Sequence, residues 1–144
     1  MLRVRSDGIG LLRNRLWGFI PTPNGSTGFC GPYVPGTLKV PGVDPVTDEF
    51  LIDTGSDYAV NHPIIRKSKG QLRETNTGNG GFGESQRGVI GPNEWFRIGG
   101  TTIPNTVSAC CAGSEDVNNQ LGGGILSRFR ITFDYPNHRI FLEK

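Results

Sequence analysis

Histidine and cysteine are scarce in this chain. Two histidines and three cysteines are all that its 144 residues carry. His62 and His138 stand outside any HxxxH spacing that would hold a catalytic metal. Cys110 and Cys111 are neighbours, Cys30 stands alone, and no CxxC occurs. Adjacent cysteines rarely bridge one another and suit zinc poorly, so neither a disulfide framework nor a metal centre is expected. The three read as reduced thiols of a cytoplasmic protein, with a bridge from Cys30 to one of the pair left open.

Strong charge is missing too. A net charge of +2 is too weak to imply a nucleic-acid partner. Arg3, Arg5, Arg13 and Arg15 make the first residues locally basic, and a solvated tail is favoured over an arm for an anionic surface. No apolar stretch approaches the roughly 18 residues of a spanning helix. Arg13 and Arg15 interrupt the only apolar patch of the first 20 residues, so neither a secretory core nor a membrane partner is expected. No GxSxG is present for a serine hydrolase. Gly78–Gly83 contains a GxG but lacks the strand-to-helix setting of a dinucleotide loop. Long Ala/Leu/Glu/Lys runs are absent, and so is any internal repeat.

Turn formers are abundant, with 22 Gly and 10 Pro. Short segments rich in Val, Ile, Phe and Thr lie between them. This pattern predicts an all-β domain with one short C-terminal helix. Residues 1–36 are so punctuated by Pro and Gly that an irregular extension is expected, with the compact domain spanning 37–144. Strands are expected at Thr37–Val40, Glu49–Asp53, Gly88–Ile90, Trp95–Ile98 and Thr106–Cys111. Asn61-His62-Pro63 should open a turn or short helix through Ile65. Gly122–Phe129 should form a tight loop and a short helix. Arg130–Tyr135 and Arg139–Leu142 should form a hairpin.

The most informative stretch is Phe50-Leu51-Ile52-Asp53-Thr54-Gly55-Ser56. Three apolar residues suit a buried strand, and Thr-Gly then bends the chain. Asp53 is thereby placed at the rigid end of a core strand, a setting that suits proton transfer. Strand ends also favour Asp, Thr and Gly for turn chemistry alone, so the neighbours must decide.

Two further stretches bear on it. Gly80-Gly81-Phe82-Gly83 is a glycine-rich tip. Leu121-Gly122 is followed by Ile125-Leu126, Phe129 and Ile131-Thr132-Phe133-Asp134-Tyr135. In this order, the three resemble the single-lobed, retroviral-type (retropepsin-like) aspartic proteases, in particular their cellular and bacterial relatives. The resemblance covers residues 37–144. It implies a closed β-barrel of the acid protease fold and an aspartic endopeptidase that needs no cofactor. Asp53, Thr54 and Gly55 would form the catalytic loop. Asp53 would supply the carboxylate, Thr54 would brace two loops across a symmetry axis, and Gly55 would let substrate backbone approach. Ser56, Asp57, Gln120, Leu121 and Gly122 would line the substrate site, and Gly80, Gly81, Phe82 and Gly83 would close over it. One Asp-Thr-Gly per chain implies a homodimer acting on a peptide or protein substrate.

The chain departs from that pattern at two places. Gly123 stands where many retroviral members carry an arginine that pairs with the acid equivalent to Asp57, leaving Arg128 or Arg130 as substitutes. Gln120 stands where an apolar residue is usual. These departures keep a second reading open, a dimeric protein-binding module of the same fold with little or no activity. They also leave open whether residues 1–36 act as a propeptide.

Overall fold

The computed structural model describes residues 10–13, 32–78, 85–111, 119–134, 136 and 139–143. For 10–13, 77, 78, 85, 86, 111 and 139 it describes the backbone alone. The chain is mainly β. Strands β1 (Gly10–Arg13), β11 (Arg130–Asp134) and β12 (Arg139–Glu143) form an antiparallel sheet in the order β1-β12-β11. The expected C-terminal hairpin is therefore present. Residues 1–36, expected to be irregular, contribute β1 and the start of the next strand.

The second sheet has nine strands. In chain order they are β2 (Tyr33–Lys39), β3 (Val46–Ile52), β4 (Val60–Asn61), β5 (Arg73–Gly78), β6 (Ser85–Pro92), β7 (Trp95–Ile98), β8 (Thr101–Pro104), β9 (Val107–Cys111) and β10 (Gln120–Leu121). Their spatial order is β5-β6-β9-β4-β10-β3-β2-β7-β8. Two pairings are parallel, β10 with β3 and β4 with β9; the rest are antiparallel. The end strands β5 and β8 do not pair with each other among the described residues, so the expected closed barrel is replaced there by an open ladder. Among the described residues no helix is long and apolar enough to cross a membrane.

β2 begins at Tyr33, ahead of the expected Thr37, despite Pro35 and Gly36. Its burial alternates strictly, with Val34, Gly36 and Leu38 inside, the period-2 pattern of a half-buried strand. β7 pairs with β2 only from Gly36 onward. At Pro35, β2 is therefore an edge on that side, where a missing N–H is tolerated. Gly36 gives room to an aromatic ring: a Cβ there would lie 2.5 Å from Phe96 Cζ. β2 and β3 are joined through a turn in which Val43 N–H donates to Val40 O (3.3 Å). Pro41 presets the first central residue, and Gly42 takes the left-handed conformation (φ 71°) that the second requires.

A single apolar core joins the two sheets. Phe50 and Phe96 meet edge to face at 5.2 Å between ring centres, a favoured aromatic geometry. Around them lie Val34, Leu38, Ile52, Val60, Ile98 and Leu121 of the large sheet and Ile140 and Leu142 of the small one. Ile125 and Leu126 of the short helix α1 (Gly123–Leu126) enter the same core.

Candidate active site

Asp53 follows the last residue of β3, and the ladder with β10 runs on through it. Leu51 N–H donates to Asn119 O (2.8 Å), and Asp53 N–H donates to Leu121 O (3.0 Å). Beyond Asp53 the chain turns. Ser56 N–H returns to Asp53 O (3.2 Å), and Gly55 N–H donates to Asp53 Oδ1 (2.9 Å). The carboxylate is thus half-buried and oriented by the backbone of its own loop. Among the described residues Oδ2 has no hydrogen-bond partner, which leaves it an acceptor for water or a second acid.

The loop is clamped from the other side by the start of α1. Gly122 N–H donates to Ala59 O (3.0 Å), and Gly123 N–H donates to Ser56 O (2.7 Å). This approach is so close that only glycine fits at position 122. A Cβ there would run into Tyr58 O and lie 2.7 Å from Ser56 O. Gly124 is similarly confined, 2.9 Å from the Ala59 backbone by the same measure. The run Gly122-Gly123-Gly124 is therefore packing against backbone, which its flexibility in the sequence does not reveal.

The structure brings together Asp53, Thr54, Gly55, Ser56, Asp57, Gln120, Leu121 and Gly122. Thr54, Gly55 and Asp57 are exposed. Leu121 is wholly buried, so it supports the loop from inside the core and does not line an open surface. Asp57 makes no ion pair among the described residues, and Arg128 Nε donates to Gly124 O (3.0 Å). Gly80, Gly81, Phe82 and Gly83, expected to close over the site, lie outside the described residues. The strands that flank them, β5 and β6, pair in register from Arg73↔Ile90 to Gly78↔Ser85.

Three side-chain contacts around these strands escaped the sequence reading. Tyr58 Oη lies 3.3 Å from both Thr75 Oγ1 and Asn76 O, tying the Asp53 loop to β5. Asn61 Nδ2 donates to Gln120 Oε1 (3.3 Å). His62 Nδ1 accepts Ile64 N–H (3.0 Å) and so caps the 3₁₀ turn Pro63–Lys67. Burial pushes the His62 pKa below its ordinary value, and Asp48, with Oδ2 3.5 Å from Nε2, opposes part of that effect. The contact with Asp48 is at ion-pair distance and leaves Nε2 without a hydrogen bond. In the sequence Asn61 and His62 read as the opening of a turn and Tyr58 as part of a short apolar piece; strand pairing is what brings Asn61 beside Gln120.

Among the described residues no group of His, Cys, Asp or Glu is arranged to hold a metal ion. Cys110 is buried within β9. No protein-family model matches the chain, and no curated protein matches it significantly.

Proposed function

We propose that the chain is one half of an aspartic endopeptidase of the retropepsin-like type, completed by a second copy. The observation that carries this reading is the joining of Asp53 to Leu121 through one backbone hydrogen bond. It unites two of the stretches on which the resemblance rests, although they are far apart in the sequence. The rigid loop, the half-buried carboxylate and its open Oδ2 add support.

The chemistry needs two acids. Two facing Asp53 side chains would share one proton, because like charges at contact distance do not both ionise readily. The ionised carboxylate takes a proton from a water held between the pair. The oxygen of that water attacks the peptide carbonyl carbon, while the protonated partner donates to the carbonyl oxygen. Collapse of the tetrahedral intermediate then breaks the C–N bond, and the amine leaves with a proton. Each chain supplies a single Asp-Thr-Gly, so the second acid comes from a two-fold-related copy. The exposure of Thr54 and Gly55 leaves the loop reachable by it. Substrate would bind as an extended strand whose alternate side chains enter pockets.

The departures at Gln120 and Gly123 favour a second reading, a dimeric module of the same fold that binds protein segments without cutting them. One experiment separates the two. Wild type and Asp53→Asn are incubated with a mixed peptide library at about pH 5 and read by mass spectrometry. New termini with wild type alone support the peptidase. Retained cleavage by Asp53→Asn refutes the assignment, and binding without new termini supports the module.

A further inference from the structure

Leu51, Gln120 and Asn61 are direct cross-strand partners in β3, β10 and β4, so their side chains share one face of the sheet. Leu51 and Asp53 lie two residues apart along one continuous ladder, which places Asp53 on that face as well. The opposite face is a closed core of Phe50, Ile52, Val60 and Leu121. The Asp53 face is half-buried and carries two carboxamides beside the acid.

Those carboxamides are incompletely matched. Asn61 gives its Nδ2 to Gln120 Oε1 (3.3 Å), but Asn61 Oδ1 is closed off from solvent without a partner. Reversing both amide ends moves the deficit to Asn61 Nδ2 without removing it. In either setting Gln120 keeps one amide atom that is unpaired among the described residues and is not closed off. A buried polar atom without a partner is destabilising and uncommon in folded proteins. Leucine at position 61 would remove the orphaned atom, so the pair calls for a purpose other than stability.

We propose that Gln120 is a specificity-determining residue facing the substrate beside Asp53, held in position by Asn61, and that it selects an asparagine or glutamine side chain next to the scissile bond. A carboxamide both donates and accepts, so it matches the outward atom of Gln120 in either setting. A leucine side chain would bury that atom unpaired. This inference rests on the peptidase reading.

The test compares kcat/KM of the full-length chain on paired peptides differing only by Gln or Leu at each position flanking the cleaved bond. Wild type is expected to favour Gln at one of these positions by about ten-fold or more. Gln120→Met, which keeps length and apolar bulk, should reverse the preference. Asn61→Leu should flatten it by freeing the Gln120 side chain. Gln120→Glu serves as a second, similarly sized variant and should retain Gln while rejecting Glu. Cleavage that depends on Asp53 but is indifferent to Gln or Leu overturns the subsite alone. A Gln120→Met variant that loses dimer mass and cleavage together assigns the pair to the subunit contact and also overturns it. Absence of any Asp53-dependent cleavage by wild type removes the peptidase reading and the subsite with it.

Discussion

The backbone N–H of Asp53 donates to the carbonyl of Leu121 at 3.0 Å. One hydrogen bond thus fixes the candidate acid against the strand that leads into α1. That strand is held on its other side by β4, the segment that follows the Asp53 loop, so the loop's two ends are tied to one strand from far along the chain.

That bracing depends on Gly122. Gly122→Ala places a methyl group against two backbone oxygens that cannot rotate away. Overpacking of this kind costs about 3 kcal/mol or more when the neighbour is backbone. Chemical denaturation should show a lowered midpoint, and any cleavage should fall with it. Wild-type stability in this variant would mean that the loop and α1 are not locked as described.

Activity should depend on protein concentration. With the second carboxylate supplied by another copy, dilution below the dimer dissociation constant removes the site. Cleavage per milligram should therefore fall on dilution in step with the sedimentation mass. A constant specific activity from a species of monomer mass would refute the shared site.

His62 makes stability sensitive to acid. Its pKa in the folded chain lies below the ordinary value of 6.5 because of burial, so the folded state binds fewer protons than the unfolded one as pH falls. Stability is therefore full above about pH 6.5 and declines as pH drops through that value towards the folded pKa. Protonation of Nδ1 also removes the acceptor for Ile64 N–H. Urea midpoints measured across this range should slope less for His62→Asn, which can still cap the turn but does not titrate. An identical slope in both proteins would exclude His62 as the source.

The contact between Gly36 and Phe96 predicts non-additivity. Gly36→Ala drives a methyl group into the ring tip and should cost about 1–3 kcal/mol. Phe96→Leu removes that tip, with a loss of its own from the core. The double variant should be more stable than the sum of the two losses by about 1 kcal/mol. Full additivity in thermal or urea melts would show that the two positions do not touch.

A single strand could be read from the chain wherever local pattern and local structure agree. Trp95–Ile98 and the turn at Pro63 formed as expected, because alternation and a preset proline angle act over a few residues. Pro35 and Gly36 misled for the opposite reason. Both are strand breakers in isolation, yet one sits at an edge and the other under a ring, and neither fact is local.

The linear order of residues by itself determined a mainly β chain, a carboxylate at the end of a buried apolar run, and the presence of one such acid per copy. Composition and short-range periodicity suffice for those. Only the tertiary structure decided that Leu121 is interior support, that Gly122 is excluded from carrying a side chain, and that Asn61 and Gln120 share a sheet face with Asp53. Each depends on contact between segments distant along the chain. Such contacts arise from strand register, which the burial of one shared core selects and no short stretch of sequence encodes.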